Sequence, residues 1–150
     1  MIRTPAPARL LGLAGLLPQI AFCAAAYILR GEEETAAQTL ALTYAALIFT
    51  FIGGTWWGLI ASSPAAGRRD KSGYAWGFAV LPSLLALGLL GSVLVDALPI
   101  EAALVSLGGG IMFSPLVDAR LKAYGPPWWM GLRLPLSLGL GVLTIVTAFV

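Results

Sequence analysis

The strongest constraint on this chain is a series of long apolar runs that contain no charged residue. Such runs cover residues 10–29, 36–63, 74–95, 102–117 and 134–150. A helix needs about 20 apolar residues to cross a hydrocarbon core about 30 Å thick. Strands of a membrane barrel instead alternate apolar and polar residues over about ten positions, and these runs do not alternate. Because a helix satisfies its own backbone hydrogen bonds in lipid, the runs predict an all-α membrane protein.

The runs predict five transmembrane helices joined by short loops. Their expected bounds are residues 10–29, 36–63, 74–95, 99–117 and 129–150. The loops leave no room for a soluble domain, so residues 1–150 are expected to form one helical bundle. Composition agrees, because only 11% of the residues are charged, against about a quarter in soluble domains. An alternative for the first run is a cleaved signal peptide whose small-residue site is at Ala24–Ala26.

The placement of the cations predicts which side of the membrane each loop occupies. With five crossings, eight of the nine basic residues fall on one side, and only Arg30 falls on the other. These eight are Arg3, Arg9, Arg68, Arg69, Lys71, Arg120, Lys122 and Arg133. The positive-inside rule places that side in the cytoplasm. We therefore expect a cytoplasmic N-terminus, an external C-terminus and a multi-pass protein of the bacterial inner membrane.

Several chemistries are disfavoured by the residues that the chain lacks. It has no His and a single cysteine, Cys23, so the sequence offers neither a His-based acid–base group nor a thiolate metal cage. We therefore expect no metal site and no cofactor. We also expect no nucleic-acid partner, because the basic loop at 68–71 fits a contact with anionic lipid better. A coupled transporter is a weak hypothesis without an acidic residue at the bilayer centre. An enzyme is equally weak, since no candidate nucleophile has a base beside it. The candidate groups are Ser62, Asp70, Ser114, Asp118 and Tyr124.

Small residues recur every four positions in two of the predicted helices. The second helix carries Ala46, Thr50, Gly54, Gly58 and Ser62, and the fourth carries Ala102, Ser106, Gly110, Ser114 and Asp118. Helices in lipid associate by close packing, so small residues are typical of their contact faces. We expect both series to be packing faces inside the bundle. A path for a small solute is the alternative.

One cluster of aromatic and charged residues is a candidate site. Trp56, Trp57, Trp128 and Trp129 are all expected on the cytoplasmic side, near Asp118 and Arg133. An ionisable residue at membrane depth is a functional hypothesis by default. Three explanations remain open for Arg133: a bidentate ion pair with Asp118 that joins two helix ends, a contact with lipid phosphate, and a site for an anionic or carbonyl ligand between aromatic walls.

Three segments carry a resemblance to a known family: FIGGTWWG at residues 51–58, LPSL at 81–84 and PWWMGLRLPLS at 127–137. In this order they resemble the bacterial membrane family catalogued as domain of unknown function 3429, whose animal relative is transmembrane protein 69. The resemblance spans all five helices and implies a small integral membrane protein without an established activity. The chain departs from the family pattern at Trp56, where His or Arg is usual, and at Trp129, where Tyr is usual. The matching residues are Gly53, Gly54, Gly58 and Arg133.

These observations favour a small structural, assembly or interaction subunit. Its expected partners are membrane lipids and other membrane proteins or a second copy of the chain. The alternative is a protein that binds a lipid or a planar ligand, quinone-like or porphyrin-like, in a pocket of tryptophans around Arg133.

Overall fold

Helices make up most of the part that the computed structural model describes, residues 4–62 and 73–150, which contains no strand. The helices are α1 (Ala6–Ala14), α2 (Leu17–Ile28), α3 (Glu32–Ser62), α4 (Gly73–Leu94), α5 (Ile100–Arg120) and α6 (Trp129–Val146). Because α1 and α2 together make one span of 23 residues, these ranges contain five stretches long and apolar enough to cross a membrane. The predicted all-α architecture is confirmed, and the five long apolar helices fit the predicted multi-pass membrane protein.

The first span is broken, although the sequence predicts one helix over residues 10–29. Pro18 has no backbone N–H, and its ring would clash with the carbonyl four positions earlier. The helix is therefore interrupted between α1 and α2. The interruption leaves the carbonyl of Gly15 without a helical donor, and the Tyr44 hydroxyl of α3 donates to it at 2.6 Å. Tyr44 thereby fastens the broken span to α3.

Two helices extend further than their apolar runs. α3 begins at Glu32 rather than at residue 36, and its first turn carries three glutamates, which the positive end of the helix dipole favours. α5 continues to Arg120 rather than ending at residue 117, with that cation in its last turn. Charged residues that a hydropathy pattern assigns to loops are thus part of the helix ends. α6 ends at Val146, before residue 150, and the predicted end of the second helix at residue 63 lies outside the described residues.

Helix α3 forms the centre of the bundle and contacts α2, α4, α5 and α6. Its buried side chains meet those of α5 in an apolar core. That core includes Leu42, Phe49, Ile52, Trp56, Ile60, Leu104, Leu107 and Ile111. By contrast, α1 lies at the periphery and has no buried residue.

Glycines lie where two pairs of helices cross closely. A Cβ on Gly108 of α5 would lie 2.8 Å from the carbonyl oxygen of Gly141 in α6. A Cβ on Gly53 of α3 would lie 2.5 Å from the carbonyl oxygen of Ala79 in α4. Since packing against backbone is a main source of helix association in lipid, these glycines set two close contacts of the bundle.

The small-residue series of α3 turns from the inside of the bundle to the outside. Ala46 is buried and Thr50 is half-buried, but Gly54, Gly58 and Ser62 are exposed. A Cβ on Gly54 or Gly58 would meet nothing within 4 Å. The predicted packing face within the chain is therefore wrong for these three residues. The reason is helix geometry, because each step of four residues drifts about 40° around the helix.

The series of α5 turns in the opposite sense. Ser106 is exposed, Gly110 is half-buried, and Ser114 is buried. A Cβ on Gly110 would lie 3.3 Å from the ring of Phe49 in α3. The packing prediction is therefore wrong for Ser106, which drift carries to the outer surface, whereas Gly110 and Ser114 face other helices.

The bundle has two chemically different ends. We call one the tryptophan end; α3 and α5 finish there, and α4 and α6 begin there. At the other end, the Arg30 guanidinium donates to the carbonyls of Tyr27 at 2.9 Å and Leu29 at 2.8 Å, which closes the C-terminus of α2. Arg3 and the basic residues at 68, 69 and 71 lie outside the described residues, so the orientation in the membrane stays a prediction.

Gly141→Ala is expected to destabilise the bundle by about 1–3 kcal/mol, the usual cost of extra volume in a packed contact. The new methyl group would press on the carbonyl of Gly108 and on Met112. Thermal unfolding in a mild detergent, followed by circular dichroism, measures the effect. Gly88→Ala is the matched control, because a Cβ there meets nothing within 4 Å and Ala favours a helix by up to about 1 kcal/mol over Gly. Equal losses in both variants would contradict the assignment of Gly141 to a close crossing.

Gln19→Leu is expected to stabilise the protein. Gln19 of α2 is fully buried, and neither its Nε2 nor its Oε1 atom has a hydrogen-bond partner among the described residues. An unpaired buried amide costs about 1–3 kcal/mol, so the apolar side chain should raise the midpoint of thermal unfolding. Gln38→Leu is the control and is expected to lower the midpoint of thermal unfolding, because Nε2 of Gln38 donates to the carbonyl of Thr147 at 3.3 Å and this hydrogen bond would be lost. A lower midpoint for Gln19→Leu would show that its amide is satisfied in the membrane.

Candidate functional site

The polar centre of the bundle is the carboxylate of Asp118, which lies near the tryptophan end with 0% of its side chain exposed. Its Oδ1 atom accepts two hydrogen bonds, from Nε1 of Trp56 at 2.9 Å and from Nε1 of Trp129 at 2.7 Å. Its Oδ2 atom accepts one from Nε of Arg133 at 3.1 Å, which is also an ion pair. Donors from α3 and α6 therefore surround a charge on α5. Such partners are needed because burial of a charge without them costs much free energy.

Arg133 extends this network to two serines. Its Nη2 atom donates to the Ser114 hydroxyl at 3.2 Å, and the hydroxyls of Ser114 and Ser137 lie 3.3 Å apart. The guanidinium also lies 6.0 Å from the centre of the Trp129 ring, which is within the range of a cation–π interaction. Arg133 bonds Asp118 through Nε alone, so the bidentate pair that the sequence suggested is not formed.

Helical spacing explains how the side chains meet. Ser114 and Asp118 are four residues apart on α5, and Trp129, Arg133 and Ser137 follow one another at the same spacing on α6. Residues four apart lie on one face of a helix, so two polar stripes face each other where α5 and α6 pack. Trp56 of α3 completes the group. We call these six residues the Asp118 cluster.

The structure brings together only part of the predicted aromatic pocket. Trp56 and Trp129 direct their indole N–H groups to the carboxylate, and they line different cavities. Trp57 is half-exposed and packs edge-on against Trp76 of α4, with ring centres 4.6 Å apart. Trp128 packs against Trp129 with ring centres 6.1 Å apart. The four predicted tryptophans therefore do not form the walls of a single pocket, because two of them are bound to the buried charge.

The two serines that were candidate nucleophiles both form hydrogen bonds within their own helices. The Ser114 hydroxyl donates to the Ile111 carbonyl at 2.8 Å, and the Ser62 hydroxyl donates to the Leu59 carbonyl at 3.2 Å. The cluster that contains Ser114 therefore has the chemistry of a structural hydrogen-bond network. Asp70 lies outside the described residues. Within those residues, no group of three or more Cys, Asp or Glu side chains converges as a metal site would require.

Two contacts that hold the site were missed in the sequence. Ser137 was detectable, because it follows Arg133 at the same four-residue spacing that separates Trp129 from Arg133. Tyr44 was not, because its partner carbonyl becomes available only where the first span breaks. A long-range contact of this kind leaves no periodic signal.

Comparison with known proteins identifies the family. Residues 4–149 match the model of the family described as protein of unknown function (DUF3429). The chain belongs to this family. The match includes every helix of the bundle and all six residues of the Asp118 cluster. No curated protein and no solved structure matches the chain.

Removal of the Asp118 carboxylate is expected to be strongly destabilising. Asp118→Ala leaves the Arg133 guanidinium and two indole N–H groups without their acceptor, at a cost of about 3–5 kcal/mol for the unpaired charge. Asp118→Asn retains an oxygen for the indoles and should cost less. Glu101→Ala is the control on the same helix, because Glu101 is exposed and surface changes stay within about 0.5 kcal/mol. Thermal unfolding measures all three, and equal effects of the two Ala variants would rule out a structural role for the cluster.

Proposed function

We propose that this chain is a structural or assembly subunit in a membrane, and that α3 binds another transmembrane helix. The observation that carries the proposal is the outward position of Gly54 and Gly58. Both glycines are exposed, and a Cβ on either would meet no atom within 4 Å. The central helix of the bundle therefore presents bare backbone on its outer face.

These two glycines carry a cost that packing within the chain does not offset. Each destabilises a helix by about 0.8–1.0 kcal/mol relative to Ala. Their four-residue spacing lets a second helix approach the backbone closely, which supplies much of the association energy in lipid. The glycines thus acquire a physical role when another helix lies against them.

The neighbours of the glycines give this face a defined shape. Trp57 stands beside Gly58 and is held by its edge-on contact with Trp76 of α4. Leu47, two turns before Gly54, is also exposed. A partner helix would therefore pack into a shallow notch beside side chains that are positioned in advance, and such preorganisation lowers the entropy lost on binding.

The Asp118 cluster supports this role from the inside of the bundle. Trp56 lies between the two glycines in the sequence but on the opposite side of α3, where it donates to Asp118. This bond holds the rotation of α3 about its axis. A buried polar contact thus decides which residues α3 presents to the outside.

The proposal includes a location. The cation distribution favours the bacterial inner membrane with the tryptophan end towards the cytoplasm, and lipids surround the remaining surface. The relation to animal transmembrane protein 69 belongs to the same proposal, since it rests on the resemblance of the three sequence segments. The partner helix comes from a second copy of the chain or from another membrane protein.

The double variant Gly54→Leu/Gly58→Leu is expected to abolish association. Leucines fill the notch and hold a second helix away from the backbone, so the affinity should fall at least about tenfold, or by 1.4 kcal/mol. Native mass spectrometry of the protein extracted in a mild detergent measures this directly. The wild-type mass should include a second subunit, and that mass shows whether the subunit is another copy of the chain.

Gly88→Leu is the matched control, because Gly88 is an exposed glycine on α4 whose Cβ would also meet nothing within 4 Å. It should leave the assembly intact. Extraction of the wild-type protein only as a single chain, or equal loss of the second subunit in both variants, would refute the proposed role of α3.

A further inference from the structure

An apolar groove between α1, α3 and α6 leads to the side chain of Arg133. It consists of two adjoining cavities of about 180 Å³ and 420 Å³. Leu11 and Gly12 of α1, Phe51 of α3, and Arg133 and Leu136 of α6 line both cavities. We call this space the α1 groove. Phe51 is three residues before Gly54 on α3, so the groove adjoins the α3 face formed by Gly54 and Gly58, but its α1 wall is separate from that face.

The Arg133 guanidinium retains one donor group that the Asp118 cluster does not use. Its Nε atom bonds Asp118 and its Nη2 atom bonds Ser114, whereas Nη1 has no partner among the described residues. The side chain is 11% exposed. Arg133 lines both cavities, so the groove reaches the side chain that carries this remaining donor group.

The rest of the groove is suited to hydrocarbon. Leu16, Ile48, Ile52, Ile111 and Leu140 complete most of the lining of the smaller cavity. A cavity of about 150 Å³ with Leu, Ile and Phe walls is large enough for a six-carbon ring. The cavity of 180 Å³ therefore has room for a small ring or for part of an alkyl chain.

We propose that the α1 groove binds an uncharged amphiphile that places a carbonyl oxygen on Nη1 of Arg133 and its hydrocarbon tail along α1 and α6. A site that is mostly apolar with one well-placed donor orients such a ligand by that donor. A quinone ketone and the ester of a lipid chain share this chemistry. The donor is preorganised, because Asp118 and Ser114 hold the other side of the guanidinium.

The charges around Arg133 explain why a neutral group is preferred over an anion. Arg133 and Asp118 form a pair with no net charge, so a second carboxylate or a phosphate would gain little attraction there. It would still bear the cost of leaving water for an apolar site. The described residues that line the two cavities include no basic side chain besides Arg133. A carbonyl oxygen accepts the hydrogen bond without that desolvation cost.

Entry from the lipid is through the α1 wall. α1 has no buried residue, and Leu11 is 75% exposed although it lines both cavities. The wall closes on α6 at Gly12, whose Cβ would lie 2.7 Å from the end of the Leu136 side chain. Away from this contact, a ligand that is dissolved in the membrane would enter beside α1.

Calorimetric titration of the purified protein in dodecyl maltoside, a detergent without a carbonyl group, tests the proposal. The probes are a decyl-substituted benzoquinone, methyl decanoate, decanoate and decane. At least one of the two uncharged carbonyl compounds should bind tenfold or more tightly than decanoate and decane. Tighter binding of the quinone would identify a quinone site, and tighter binding of the ester would identify a lipid site. Equal affinity of all four probes would overturn the proposal.

Two variants assign the binding to the groove. Leu11→Trp fills it from α1 and should weaken the binding of the carbonyl probe at least tenfold. Leu10→Trp is its matched control, because Leu10 is 64% exposed on the same helix and does not line either cavity. Leu10 and Leu11 are themselves exposed, so both variants should fold. Equal affinities of the two variants would exclude the groove as the site. Arg133→Lys keeps a cation beside Asp118 but has no Nη1 group. It should therefore remove the preference for a carbonyl compound over decane.

Discussion

The structure depends on how one negative charge is accommodated inside an apolar bundle. A carboxylate without partners could not remain ionised in such an interior. Asp118 is stabilised by a guanidinium and two indole N–H groups, which come from α3 and α6. Each of these donors is directional, so the charge can be satisfied only when α3 and α6 have the correct rotation and depth beside α5. Apolar packing alone would not impose that condition, since lipid solvates an apolar helix surface as well as another helix does.

Close crossings supply the second constraint. Gly108 and Gly141 let α5 and α6 approach at the level of their backbones, and Gly53 does the same for α3 and α4. The hydrogen bonds of the Asp118 cluster need this proximity, because the side chains of Asp118 and Ser114 are short. Backbone contact and polar contact therefore reinforce each other along the interface between α5 and α6.

Much of the architecture was predictable from hydropathy, because one long uncharged run marks each of the five spans, although the runs at 102–117 and 134–150 are shorter than a full span. Hydropathy does not show the break at Pro18, since the run remains apolar on both sides, and a proline alone does not locate a break, because Pro82, Pro115 and Pro135 lie inside unbroken helices. The pairing of Asp118 with Arg133 could be expected from their places at two neighbouring helix ends. The two indole donors could not, because the direction of a side chain depends on helix rotation, which the contacts of the whole bundle determine. The same drift around the helix axis explains why Gly54 and Gly58, on a series that begins inside, reach the outer surface.

The order of the cluster along the chain has a consequence for biogenesis. Asp118 and Arg133 belong to consecutive helices joined by the eight residues 121–128, and Trp129 lies on the second of them. An arginine that enters the membrane on an isolated helix is costly because its charge leaves water without a partner. If the last two helices insert as a hairpin, the cation arrives already neutralised by its partner. The earlier helix α3, already in the bilayer, then needs only to turn Trp56 towards the completed pair.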